Sequence, residues 1–412
     1  MSHGSRRIAA RLSCAASFVA LTTVASGCGD SPADSPATTA TGGGTSTSTP
    51  AGGGGAGGAD GVTRPFDMGF TPWPWDATLA AVDWTWDHLA SDGDLVSQHI
   101  EEGVPWPEAA SGAPFPQSYL DQIADRKAHA AGKRQLLSLN ALDISRTHLA
   151  PFRTEQPNTP LTAPWSDYAL DDPEVEGAYL SYVQRMVDLL EPDFVQTGIE
   201  VNLLRRDTDA ATWATLVALQ CHVYQGLKAL GYTQPISVSL VSTAFYHPEL
   251  YDQSPDLDAQ LAALHDLEPC VDLVAWSVYP YISGLLADSM PDDYFGTILA
   301  LTTKPQGISE SGYPAQQWSL PNVATWNGTP EKQRHFVDVM LSEASAHDLR
   351  FVVWFAIRDY DQLWERPTSE GGLGSDSLSL IWRDTGLYDE AGAPRVAWDE
   401  WSAAFELPHA PR

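Results

Sequence analysis

Beyond residue 65 the chain alternates short apolar runs with amphipathic segments, and this rhythm persists almost to the end. Eight runs, at 66–70, 95–100, 135–139, 194–199, 236–241, 273–278, 305–309 and 351–356, have the length of strands. They show little polar alternation, which marks parallel strands buried on both faces. Segments 78–89, 116–131, 173–190, 210–230, 257–267, 292–301 and 330–347 repeat apolar residues every three or four positions. That spacing predicts helices with one buried stripe, and 396–405 supplies an eighth. Eight strand–helix units predict an α/β fold of the closed (β/α)8 TIM barrel type. A doubly wound open sheet would also alternate in this way. However, 68–75, MGFTPWPW, lacks the glycine-rich phosphate loop expected after the first strand of such a sheet.

The first 65 residues have a different texture. Arg6, Arg7 and Arg11 precede an apolar stretch at 12–24, and Ala25-Ser26-Gly27 then leads into Cys28. Residues 1–27 therefore predict a secretory signal, with an apolar stretch too short to span a bilayer stably. Small residues before a cysteine resemble a bacterial lipoprotein cleavage site, which implies a lipid on Cys28 as the only membrane attachment. Residues 28–65 are dominated by Gly, Ser, Thr, Ala and Pro and predict a flexible tether ahead of a single domain at 66–412. The expected location is outside the cytoplasm, as a cell-envelope lipoprotein or a secreted protein.

Charge narrows the partners. With 53 acidic against 23 basic residues the formal charge is -30, which repels nucleic acid and anionic headgroups. Four cysteines are too few and too scattered for a disulfide framework or a zinc site. Two of them, Cys14 and Cys28, belong to the leader. The other two, Cys221 and Cys270, are read equally well as one bridge or as two buried thiols. Fifteen tryptophans suggest either stacking on sugar rings or a Trp-rich core.

In a barrel the carboxyl ends of the strands converge on one pocket, so the residues there can be read together. The stretch 304–314, KPQGISESGYP, is an apolar run that stops at a lone carboxylate, Glu310. The other run ends carry Trp73 and Trp75; Gln98, His99, Glu101 and Glu102; Asn140 and Asp143; Glu200 and Asn202; Ser242 and Thr243; Tyr279 and Tyr281; Trp354 and Arg358. Glutamates from the fourth and seventh strands would face each other across the mouth. One could then protonate a departing glycosidic oxygen while the other attacks the anomeric carbon. His99 beside Glu101 and Glu102 lacks the spacing of a metal site, and no serine-esterase motif occurs, so neither a metal nor a cofactor is implied. Trp73, Trp75, Trp106 and Trp318 fall in presumed mouth loops, where they would stack on carbohydrate.

TGIEVN around Glu200 and GISESGYP around Glu310, with a Tyr ending strand six and a Trp ending strand eight, resemble the retaining (β/α)8 glycoside hydrolases of clan A. Galactanase-, cellulase- and mannanase-like members are similar in texture. The resemblance implies hydrolysis of β-linked polysaccharide or oligosaccharide, with Glu200 as acid/base and Glu310 as nucleophile. It further implies Tyr279 orienting Glu310 and Trp354 as the floor under the sugar, with Trp73, Trp75, His99, Asn140 and Asn202 around the substrate. One departure is sharp. Where the clan has Asn before the strand-four glutamate, this chain has Ile199, so Asn140 or Asn202 is expected to supply the missing hydrogen bond. The competing expectation is a catalytically silent, carbohydrate-binding barrel.

Overall fold

The computed structural model describes residues 63–248, 256–283, 290–320, 324–377 and 379–410. The leader, most of the tether and Cys28 lie outside the described residues. Arg64 already belongs to the fold: it is buried, pairs with Asp94 at 2.6 Å and bridges the backbone near His409. The domain therefore starts slightly ahead of the expected boundary at 66.

Ten strands occur in chain order: β1 (Asp67–Phe70), β2 (Leu95–Ile100), β3 (Arg134–Leu139), β4 (Phe194–Gln196), β5 (Ile236–Val241), β6 (Leu273–Val278), β7 (Gln306–Ser311), β8 (Gln317–Leu320), β9 (Ala324–Asn327) and β10 (Phe351–Trp354). Eight of them close into a parallel barrel in the order β1-β10-β7-β6-β5-β4-β3-β2, confirming the TIM-barrel expectation. The other two, β8 and β9, form an antiparallel hairpin after β7 that the periodicity did not reveal. Helices Leu79–Asp92, Gln117–His129, Pro173–Leu190, Ala210–Ala229, Leu257–Leu267, Pro330–Ala346 and Val396–Phe405 fall where the amphipathic segments predicted them. The segment at 292–301 is helical only over Tyr294–Leu299. Among the described residues, no helix is long and apolar enough to cross a membrane.

Two apolar layers hold the barrel together. Outward-facing Met68, Phe70, Val96, Leu137, Val274, Trp276 and Val352 pack against the helices. Inside, Leu95, Leu136, Phe194, Leu273, Ala275, Phe351 and Val353 form a separate plug. Phe194 meets Phe351 edge-on at 4.9 Å, and Gly307 leaves room for that ring, because a Cβ there would lie 2.6 Å from it. Above this plug the inward positions become polar: Ser97 and His99 on β2, Ser138 and then Asn140 on β3, Ser277 and then Tyr279 on β6. Filling by large side chains below and polar side chains above is what places chemistry at the carboxyl-end mouth.

Cys221, on the helix Ala210–Ala229, is bonded to Cys270 in the turn that enters β6, with Cα atoms 4.9 Å apart. This resolves the choice between bridge and thiols.

Two glycines test the packing in opposite directions. A Cβ on Gly69 of β1 would sit 1.9 Å from the Leu95 carbonyl oxygen, whereas Gly177, exposed on the helix Pro173–Leu190, has nothing within 4 Å of that position. Urea unfolding should therefore show Gly69→Ala destabilised by more than about 2 kcal/mol through forced strand displacement. Gly177→Ala should be stabilised by about 0.5–1 kcal/mol through helix propensity.

Candidate active site

Both candidate glutamates arise at irregularities in the barrel ladder. On β7 the alternation runs Gly307 inward and Ile308 outward, so an unbroken strand would turn Glu310 outward. The register with β6 shifts instead: Trp276 pairs with Ile308, and the next residue, Ser277, pairs with Glu310. Ser309 is the extra residue of a β-bulge, and it rephases the strand so that Glu310 points into the barrel. On β4 regular pairing ends at Gln196, three residues short of the expected run at 194–199. The amide of Ser239 still reaches the Gly198 carbonyl, and Val201 returns to the Ser239 carbonyl, leaving Ile199 and Glu200 looped between them. Glu200 has φ 52°, a left-handed conformation, and its amide is caught by the Ser239 hydroxyl at 2.9 Å. A non-glycine residue in this region costs on the order of 1–3 kcal/mol, and such strain concentrates at functional sites.

Ser277 brings the two acids together. It pairs with Glu310 across the ladder, and its hydroxyl donates to Glu200 Oε1 at 2.7 Å. Glu310 is 1% exposed; the Tyr279 hydroxyl donates to its Oε2 at 3.3 Å, and Nδ1 of His99 lies 3.6 Å from its Oε1. Burial, with Glu200 and Glu101 adding to it, pushes the Glu310 carboxyl up to about 7 against the opposing pull of His99 and Arg146. Burial, reinforced by Glu310, lifts Tyr279 well above the ordinary phenol value, keeping it a donor.

A third carboxylate and a guanidinium complete the cluster. Arg146, wholly buried, grips Glu101 with both terminal nitrogens at 2.5 and 3.2 Å, and one of these also lies 3.5 Å from Glu200 Oε2. Burial opposes the charge on Arg146, but Glu101 and Glu200 outweigh it and make the guanidinium harder to deprotonate. Burial would raise Glu101 too, yet Arg146 and His99 hold its carboxyl at about 2. The assembly can keep carboxylates ionised in a dry pocket and hold one carboxyl near neutrality, the division of labour that acid–base chemistry needs.

The other expected site residues are divided. His99 and Tyr279 join the cluster. Asn140 does so as a brace: its amide group donates to Glu101 at 2.9 Å and to the Ile199 carbonyl at 3.4 Å, while its own oxygen accepts from the Leu142 amide. Both amide hydrogens are spent, so Asn140 is not the spare donor expected next to Ile199. Asn202 is not at the mouth either; it is buried against Gln260 and holds the amide and carbonyl of Val241. Trp354 corrects the expectation most clearly. As an outward-facing residue of β10 it is 0% exposed, lies 5.9 Å from the Phe336 ring on the helix Pro330–Ala346 and donates to the Thr385 carbonyl. It is a wall between barrel and helices, whereas the ring beside Tyr279 is Trp382, at 6.0 Å.

The presumed mouth tryptophans mostly pack. Trp73 is buried against Phe355 and Tyr360, Trp106 is stacked on Trp165, and Trp318 is stacked on Trp326 across the β8–β9 hairpin. Trp75 stays half-buried, with the Arg358 guanidinium 4.0 Å above its ring. Two members of the cluster carry no mark in the sequence. Arg146 sits in the loop after β3, where no periodicity marks it, and Ser277 reads as an ordinary polar break in β6. The available hint was arithmetic: Glu101, Glu102, Glu200 and Glu310 all fall at strand ends, and a buried set of that kind requires cations from the loops.

No family model matches the sequence, and no curated protein does. Solved structures do resemble the fold. An exo-beta-1,4-mannosidase of Opitutaceae bacterium strain TAV5 superposes with TM-score 0.54 at 14% identity, covering 83% of this chain and 59% of that one. GH5_18 of Bifidobacterium longum subsp. longum gives TM-score 0.55 at 16% identity over 85% of this chain and 82% of that one. GH5_18 of Streptomyces cattleya, in complex with GlcNAc, gives TM-score 0.55 at 16% identity over 85% and 83% of the two chains. At such identities the likeness establishes a shared barrel architecture.

Proposed function

We propose that the chain is a retaining glycoside hydrolase acting on β-linked oligosaccharide or polysaccharide, with Glu200 as acid/base and Glu310 as nucleophile. The observation that carries this reading is the bridge at Ser277, which joins Glu200, just beyond β4, and Glu310 on β7 in one buried cluster. A retaining displacement needs two carboxyl groups flanking the scissile bond, about 5 to 5.5 Å apart. Barrel neighbours that include an exo-beta-1,4-mannosidase, and others solved with Manb1-4GlcNAc, support a β-linked sugar as the substrate class.

In the first half-reaction a Glu310 carboxylate oxygen forms a bond to the anomeric carbon as the glycosidic oxygen leaves with a proton from Glu200. In the second, Glu200 takes a proton from water, and that water displaces Glu310 from the sugar. The Tyr279 hydroxyl, 3.3 Å from Glu310, fixes which oxygen of the nucleophile is free to attack. Ser277 and Arg146 hold Glu200 in place between the two steps.

Export is part of the same proposal. It is supported by the basic and apolar leader, and by the Cys221–Cys270 bridge, which suits an oxidising compartment. A lipid on Cys28 would make the protein an envelope lipoprotein, which the intact mass of the mature chain reads directly.

A panel of β-1,4-linked mannan, galactan and glucan oligosaccharides should reveal reducing-sugar release. Glu200→Gln and Glu310→Gln should each lower kcat on the responsive substrate by on the order of 10²–10⁴-fold with an unchanged circular dichroism spectrum. A 2-deoxy-2-fluoro glycoside should label Glu310 covalently. Activity surviving in either variant refutes the assignment, and sugar binding without release across the panel supports the silent barrel instead.

The acid limb has a defined sign. A nucleophile must be ionised, and Glu310 carries its proton below about 7, so kcat/KM should rise with pH through about 7. A fall through the same value would make Glu310 the proton donor and exchange the two roles.

A further inference from the structure

His99 sits between two carboxylates, one on each ring nitrogen. Its Nε2 lies 3.0 Å from Glu101 Oε2, and its Nδ1 lies 3.6 Å from Glu310 Oε1. A neutral imidazole offers one N–H and one lone pair, so it can face only one carboxylate favourably. A ring flanked by acids on both edges is matched by the imidazolium, whose two nitrogens both donate. The side chain is 2% exposed, and water therefore contributes little to screening either contact.

We propose that His99 is a positioning residue held as an imidazolium by Glu101, and that it supplies the counter-charge which lets Glu310 ionise inside the dry barrel mouth. The proposal rests on the reading of Glu310 as nucleophile and adds to it a Glu101–His99–Glu310 chain of contacts. Glu101 is suited to the anchoring end. It is itself fastened by Arg146 on both oxygens and by Asn140, so it stays ionised and fixed at the Nε2 edge of the ring. Glu310 Oε1, the oxygen facing His99, is buried and accepts no hydrogen bond among the described residues. The charge on the imidazolium acts on that oxygen from 3.6 Å without occupying its lone pairs, which stay available for attack.

The charged groups around the ring oppose one another in a definite way. Burial disfavours a charged ring and the Arg146 guanidinium repels it, but Glu310 from β7 and Glu101 beyond β2 outweigh both and raise the proton affinity of His99. His99 in turn is the largest influence lowering the Glu310 carboxyl against its burial. Removing the ring should thus make Glu310 harder to ionise, and removing Glu101 should make the ring easier to discharge.

The test uses imidazole nitrogen NMR on the full chain, whose 11 histidines are sorted by the signal missing from His99→Gln. In the wild type the His99 ring should be protonated on both nitrogens at pH 7 and discharge above the usual histidine value. In Glu101→Gln that midpoint should fall by about one unit or more. With a responsive substrate, the acid limb of kcat/KM in His99→Gln should move up by about one unit, a displacement that a merely structural residue would not produce. A His99 ring carrying a single proton at pH 7 overturns the proposal, as does a midpoint indifferent to Glu101→Gln. The NMR readout needs no turnover. A charged ring in a protein that hydrolyses nothing sinks the glycosidase reading alone; a neutral ring in an active enzyme sinks this inference alone. Should His99→Gln fail to fold, the wild-type titration against Glu101→Gln still decides, with the missing assignment taken from His99→Asn.

Discussion

The site depends on one buried guanidinium. Three carboxylates, from Glu101, Glu200 and Glu310, are withdrawn from water at the barrel mouth, and ionised carboxylates cannot remain there without cations. Arg146 touches two of them, and His99 spans the interval between Glu101 and the third. Removing one partner from such a set leaves an uncompensated buried charge, which costs on the order of 3–5 kcal/mol. The same low dielectric that makes this arrangement expensive is what separates the proton affinities of its members, and that separation is the basis for chemistry.

Geometry follows from two local departures in an otherwise regular ladder. The bulge at Ser309 turns Glu310 inward, and the loop at Ile199–Glu200 carries the other acid on a left-handed backbone. The hydroxyls of Ser239 and Ser277 both hold Glu200, one at its amide and the other at its carboxylate, and Ser277 also pairs with Glu310 in the ladder. The regular barrel provides rigidity, while the irregular strand ends aim the side chains. Ile199 fits this picture: it is buried, and its carbonyl is held by Asn140, so this position contributes backbone to the brace.

The barrel was legible because burial on both strand faces and one helix face imposes periods that survive in the residue order, and seven helices and eight strands fall where those periods put them. Glu200, Glu310, His99 and Tyr279 were legible because strand ends are legible. The failures share a cause. Trp354 stands one position away from the inward phase of β10, and Asn202 opens the helix Asn202–Asp207 beyond the strand, so proximity to a strand end does not bring either to the mouth. A bulge shifts that phase by one residue without any compositional mark, and Arg146 arrives from a loop whose conformation no period encodes. Trp106 and Trp318 follow barrel strands, but each belongs to a further element, the helix Trp106–Ser111 and β8, and its ring packs that element against the domain.

The central claim is that Glu310 attacks one sugar carbon and is then displaced from it by water, with Glu200 moving the proton in each step. Proton NMR of the anomeric signal during the first minutes of hydrolysis of a β-linked oligosaccharide tests it most directly. Double displacement predicts that the β-anomer appears first and the α-anomer only later, by mutarotation. An α-anomer formed first would mean a single displacement by water and would contradict the covalent role of Glu310.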